Sequence, residues 1–246
     1  WTLFVSDGNI FNSTLYKVRP IYPPKSKFWA DPFIFFHKGD YYVFFENYSY
    51  KEKRAKISCG ILDQNNNIIN VVDVLSRDYH LSYPHVFEEN GEIFLMPETN
   101  SNKRLEIYKA IKFPIEWELY STAFDGDNIA DVTYFRDNIG KRWLFVSKGM
   151  GVLDDHSSEL YIYQIENLKL LKIRAHKQNP VLIDSRRARS AGPIFEYQNN
   201  FIRPSQDNSN GVYGYGLNLN RIITLNLDEY SEKTIITIEP KFRKGL

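Results

Sequence analysis

Cysteine is almost absent from this chain of 246 residues, with Cys59 standing alone. No internal disulfide can form, no oxidising compartment is indicated, and a cytoplasmic location is favoured. The Cys/His spacings that hold zinc are missing as well. Charge of one sign is also lacking, with 31 basic and 30 acidic residues and a net charge of +1. That balance asks for neither a nucleic-acid nor a membrane partner. No run approaches the ~18–20 apolar residues of a membrane span. There is no phosphate loop of the Walker type and no dinucleotide fingerprint after a strand. Asp125-Gly126-Asp127-Asn128 lacks the further ligands of a calcium loop. No cofactor and no metal site is expected. Helical periodicity is missing from every long stretch of the chain.

Aromatic residues are plentiful at 15%, with 17 Tyr and 17 Phe, which suits strands better than helices. Short apolar bursts at 41–45, 56–62, 68–74, 93–96, 105–110, 143–146, 160–165 and 222–227 alternate with turn signals such as Gly39-Asp40, Asn65-Asn66-Asn67 and Asn90-Gly91. One phrase recurs. Trp29-Ala30-Asp31-Pro32-Phe33 leads through Gly39 to an aromatic run closing on Glu46. Ser82-Tyr83-Pro84-His85-Val86-Phe87 leads through Gly91 to Glu98. Ala130-Asp131-Val132-Thr133-Tyr134-Phe135 leads to Trp143-Leu144-Phe145-Val146, and Ala191-Gly192-Pro193-Ile194-Phe195 leads to Arg203 and Asp207. A repeat of about 40–50 residues built from short strands marks a β-propeller blade.

The expected fold is all-β, a five-bladed propeller whose blades are mostly four antiparallel strands. A fifth blade would draw on residues 213–227 and 234–238, closed by 3–5 or 15–17. A polar insertion at 149–158 and the basic Arg186-Arg187-Arg189 lengthen the interval before the fourth copy. The chain starts at Trp1 and not at Met. Residues 1–246 are therefore expected to form one domain cut from a longer protein.

Blade geometry places the start of the first strand and the end of the second at one face. Asp31–Glu46, Tyr83–Glu98 and Gly192–Asp207 share one offset, and a longer turn makes Asp131–Lys148 the third pair. One polar rim is expected to collect Asp31, Glu46, Tyr83, Glu98, Asp131, Lys148 and Asp207, bordered by His85, Arg189 and Arg203. Facing carboxylates are the equipment of glycoside hydrolysis, one as general acid and one as base or nucleophile. The plainer readings stand beside this one. Asp-Pro and Gly-Pro at a strand start are turn chemistry, Trp29 is a sugar platform or core packing, and His85 is a buried histidine or a rim residue. The arginines bind an anionic group or pair with the acids.

These phrases resemble the first blade of glycoside hydrolase family 43 type propellers. A wider set is similar to the propeller at the N-terminus of plant glucosamine inositolphosphorylceramide transferases and their bacterial relatives. It comprises Phe28-Trp29-Ala30-Asp31-Pro32-Phe33, Leu81-Ser82-Tyr83-Pro84-His85-Val86-Phe87-Glu88, Met96-Pro97-Glu98-Thr99, Phe113-Pro114 with Trp117, Asn179-Pro180-Val181, Arg189-Ser190-Ala191-Gly192, and Arg203-Pro204-Ser205-Gln206-Asp207 with Tyr213-Gly214. The hydrolase resemblance implies Asp31 as general base. Tyr83 stands where that family places an acid-tuning aspartate, and Asp131 stands where it places the general-acid glutamate. The transferase resemblance implies that the transfer chemistry belongs to a neighbouring domain.

Two functions follow. In the first, a hydrolase-like enzyme uses Asp31 as base and Asp131 or Glu98 as acid. Trp29, Glu46, Tyr83, His85 and Asp207 would shape its sugar pocket, and Arg189 or Arg203 would hold an anionic substituent. In the second, a non-catalytic propeller holds a glycan, glycolipid or nucleotide-sugar for a fused glycosyltransferase or formyltransferase domain. Catalytic status stays open between them.

Overall fold

The computed structural model describes residues 1–149 and 155–240. Part of the expected polar insertion, residues 150–154, lies outside the described residues. Among the described residues there is no α-helix, only strands and two short 3-10 turns, in the expected β-propeller class.

A two-stranded ribbon comes first, β1 (Leu3–Val5) with β2 (Arg19–Ile21). The first sheet holds β3 (Lys27–His37), β4 (Asp40–Ser49), β5 (Arg54–Leu62) and β6 (Ile68–Leu75), in chain order and antiparallel. The second holds β7 (Ser82–Glu89), β8 (Glu92–Glu98), β9 (Leu105–Lys112) and β10 (Glu116–Ala123). The third holds β11 (Ile129–Arg136), β12 (Arg142–Lys148), β13 (Glu159–Ile165) and β14 (Ile173–Ala175), with β15 (Leu182–Ile183) also on β13. The fourth holds β16 (Phe195–Tyr197), β17 (Asn200–Asp207), β18 (Gly216–Leu225) and β19 (Tyr230–Ile238).

Each spoken copy of the repeated phrase therefore heads one sheet. The strands expected to supply a fifth blade, 213–227 and 234–238, instead complete the fourth sheet as β18 and β19. The sequence alone gave no register for them. Pairing of Ile202 with Arg221 sets β18 on β17, and pairing of Leu219 with Ile236 sets β19 on β18.

Local chemistry explains the sharp hairpins. Lys38 and Gly39 hold φ 50° and 97°, and Asn90 and Gly91 hold 53° and 80°. Positive φ at both central residues is the two-residue turn that matches strand twist. A second left-handed site recurs inside the inner strands. Asp31, Tyr83 and Asp131 hold φ 48°, 43° and 48°, and Gly192 holds 139°. Strand register shifts at the same place, between Ala30 and Phe33 in β3 and between Ala130 and Thr133 in β11. The repeated phrase thus encodes a bulge, which re-aims the side chains around it.

Contacts divide the chain into two compact units. The first comprises Trp1–Pro97 and Tyr108–Leu119 among its described residues. In it, alternation along β4 buries both faces of the first sheet. Phe44 packs with Ile57, Cys59, Leu81, Tyr83 and Leu95. Val43 and Phe45 pack with Trp29 and Leu3 of the ribbon. The second unit, Glu98–Ile107 and Tyr120–Pro240, buries Trp143, Phe145, Leu160 and Ile162 against Ala188 and Tyr230. Each fully buried side chain of this kind contributes roughly 1.5–3 kcal/mol.

Candidate functional site

The bulges decide where the candidate residues go. In the first unit, the Asp31 carboxylate (Oδ2) accepts the Tyr83 backbone N–H at 3.2 Å, so the left-handed site of one inner strand is tied to that of the next. Glu46 lies opposite Ala30, is buried, and meets Nε2 of His80 at 3.3 Å. Nδ1 of His80 accepts the Ala55 N–H at 3.2 Å. That bond leaves the ring proton on Nε2, facing Glu46.

Trp29, Tyr83 and His85 belong to the packing of this unit. The Trp29 ring lies 4.6 Å from Phe45, and its indole N–H donates to Asn47. Asn47 in turn donates to Ser58 and Asp73. Tyr83 stands edge-on to Phe33 at 4.8 Å. His85 lies between Phe33 and Phe87, at 5.4 and 5.2 Å. Burial lowers its pKa to about 3, so the ring is neutral.

In the second unit, one arginine gathers two of the expected acids. Arg189 donates its Nε–H to Asp131 (Oδ2) at 2.5 Å, and its Nη2 stands 3.9 Å from Glu98. Only 13% of the Arg189 side chain is exposed, against 8% for Asp131 and 15% for Glu98. Burial alone would lower the guanidinium pKa, but the Asp131 and Glu98 charges and Tyr213 raise it, so it stays charged. The guanidinium lies over the Tyr213 ring at 5.2 Å, and that ring remains 54% exposed. Two carboxylates, a planar cation and an exposed aromatic face can together hydrogen-bond and stack a polyhydroxylated ring.

Arg203 is separate from this cluster. It is fully buried with Glu232, with Nε at 2.8 Å from Oε2 and Nη2 at 2.7 Å from Oε1. It also donates to the Arg187 carbonyl, while Tyr230 donates to Glu232. Its place is the core of the fourth sheet, not the border of a rim.

Two pairings inferred from a fixed offset are displaced. Ala30 faces Glu46, but Ala130 faces Ser147. Lys148 faces Ile129 and so projects to the opposite side. There it meets Asp127 at 2.8 Å and the rings of Phe124, Tyr161 and Tyr163 at 5.5–5.6 Å. In the fourth sheet Ser190 bridges Ser205, and the Ala191 N–H donates to the Pro204 carbonyl. Asp207 lies beyond that pairing, accepting the Ser209 N–H at 2.8 Å. Bulge and turn lengths differ between sheets, and an offset counted along the chain ignores both.

Sequence reasoning passed over His80, Ser147 and Glu232. His80 carries a signal, standing just ahead of the second copy of the phrase. No group of three or more His, Cys, Asp or Glu side chains forms a metal-binding arrangement among the described residues.

Comparison with known proteins bears on both units. The model of the family described as glucosamine inositolphosphorylceramide transferase 1, N-terminal, matches residues 19–245. Proteins named glucosamine inositolphosphorylceramide transferase 1 are similar over 223 residues, at 35% identity in Oryza sativa subsp. japonica and 30% in Arabidopsis thaliana. These matches cover 89% of this chain and 29% of each relative, so the chain spans about three-tenths of their length. Among solved structures, a family 117 glycoside hydrolase of the marine bacterium Zobellia galactanivorans is similar with TM-score 0.65 and 10% identity, over 87% of this chain and 71% of that one. The RS223 β-xylosidase is similar with TM-score 0.67 and 11% identity, over 94% of this chain and 82% of that one. At such identities the likeness shows the fold alone. The chain belongs to the glucosamine inositolphosphorylceramide transferase 1 N-terminal family.

Proposed function

We propose that this chain is a non-catalytic carbohydrate-recognition propeller. It holds a glycan, glycolipid head group or nucleotide-sugar for a transferase domain in the same protein. One observation carries the reading: Arg189 is shared by Asp131 and Glu98, the two expected acids. A general acid must reach the leaving oxygen within hydrogen-bond distance, and Arg189 already stands against both carboxylates. The same ion pair suits recognition, because it fixes acceptors and donors in advance for sugar hydroxyls. The relatives are transferases by name, and the span matched to this chain is 29% of their length. The hydrolytic alternative keeps the fold likeness and Asp31 as a base, but must free Asp131 or Glu98 from Arg189.

Five blades also belong to this reading. The ribbon β1–β2 covers the face of the first sheet that carries Val43 and Phe45. That is the place an adjoining blade takes, and we read the ribbon as part of a fifth.

Calorimetric titration of the chain with oligosaccharides and nucleotide-sugars, with product analysis of the same samples, tests the assignment. Binding heat without new products, weakened at least about tenfold in Asp131→Asn, is the expected result. Sugar products from the native chain that vanish in Asp31→Asn would establish the hydrolase instead.

A further inference from the structure

Net charge hides one local concentration. The β11–β12 turn and the β13–β14 loop leave the third sheet at the same end, because Arg142 pairs with Ile165 and Ile165 with Ile173. Lys141, Arg142, Lys172 and Arg174 converge there on a cleft of about 280 Å³. Two acids lie close, and both have work to do. Asp137 accepts the Ile139 and Lys141 backbone N–H groups and the Trp143 indole N–H. Glu166 pairs with Lys172 at 3.0 Å. Lys141 and Arg174 form no ion pair among the described residues. A wider groove beside the cleft shares these two cations and is edged by Asp228 and Glu229, of which Asp228 is held by Lys177.

The two turns also present apolar tips. Ile139 is 72% exposed and Leu171 is 87% exposed. The rest of the second loop shows that this is selective, for Leu168 and Leu170 are buried. Leu170 holds φ 57°, a left-handed backbone that costs a branched residue energy. The loop bears that strain with one leucine turned inward and the next outward.

We propose that this end of the third sheet docks on an anionic lipid surface. Ile139 and Leu171 enter the interface, and the cations around the cleft face the lipid phosphates and carboxylates. Apolar side chains ringed by Lys and Arg are the composition that anionic bilayers bind. Each basic side chain near such a surface raises partitioning about fivefold. A soluble polyanion would need the cations alone and would leave the two apolar tips in water. This contact is independent of the sugar reading.

Sedimentation of the full chain with phosphatidylcholine vesicles, pure or mixed equally with phosphatidylserine, tests it. Binding is expected with the mixed vesicles only, and falling as salt rises. Ile139→Ser with Leu171→Ser should weaken it at least about tenfold, and Lys141→Glu with Arg174→Glu at least about 25-fold. Leu171→Trp, a substitution at an exposed site, should tighten binding and shift tryptophan emission to the blue on mixed vesicles. Equal binding to both vesicle types would overturn the proposal. So would dextran sulfate binding as tight as vesicle binding, with neither changed by the serine pair. That outcome would identify a soluble polyanion as the partner.

Discussion

Asp31 and Asp131 hold the same left-handed backbone angle, φ 48°, at the same point of the repeated phrase. Both stand where strand register slips, and both end as hydrogen-bond acceptors, Asp31 for the Tyr83 N–H and Asp131 for Arg189. Aspartate is one of the few residues besides glycine that visit this conformation. The fourth copy uses Gly192, which has no steric penalty there. Tyr83 at φ 43° is the costly member of the set, and its burial against Phe33 compensates.

The bulge predicts a ranking of substitutions at Asp31. Asn keeps an acceptor and tolerates the angle, so Asp31→Asn should cost under about 1 kcal/mol. Val is branched and has no acceptor, so Asp31→Val should cost about 2–4 kcal/mol. Urea unfolding of the two variants reads the difference, and equal midpoints would remove the backbone argument.

Arg189 gives a test with a built-in control. Arg189→Leu strands Asp131, whose side chain is 8% exposed. The expected loss is about 3 kcal/mol, or roughly 6–12 °C in Tm for a chain of this size. Asp131→Asn added to Arg189→Leu removes the stranded charge, tolerates the φ 48° backbone at that position, and should recover most of that loss. A double variant no better than the single one would show that the pair contributes little beyond packing.

Strand content, the four inner hairpins and their turns were legible because alternation and Asn-Gly or Gly-Asp pairs are local signals. The bulge was half legible. The repeated Asp, Tyr, Asp and Gly positions marked it, but nothing in their spacing said that φ would be positive. Pairing partners were not legible where turn lengths vary, which is why Lys148 and Asp207 left the expected rim. Arg189 was named, yet its choice of Asp131 and Glu98 over Asp184 is tertiary. Asp184 takes Arg186 and Arg187 instead. A net charge of +1 concealed the basic cleft, because composition sums over distances that folding abolishes.

Cys59 supplies a probe of global opening. It is 1% exposed, and burial pushes its thiol up to about 12. At pH 8 only a minute thiolate fraction exists in the native chain, against about a quarter in a free thiol. Labelling by a disulfide reagent should therefore be slow in buffer and should rise in step with urea unfolding. Fast labelling without denaturant would mean that β5 opens locally.

His85 sets a pH dependence whose direction is fixed by its burial. Its pKa falls from 6.5 to about 3 in the folded chain. As pH drops below about 6.5 the unfolded chain takes up a proton that the native one refuses. The contribution of His85 to stability is therefore complete above about pH 6.5 and is lost progressively down to about 3. The slope is about 1.4 kcal/mol per unit, or about 2 kcal/mol lost by pH 5. His85→Phe keeps an aromatic ring between Phe33 and Phe87 and cannot titrate. The stability gap between native and variant should move by that amount, in favour of the variant, between pH 7 and pH 5. Carboxylates titrate in both proteins and cancel in the comparison. A gap that stays constant across this range would show that His85 is open to protonation in the folded chain.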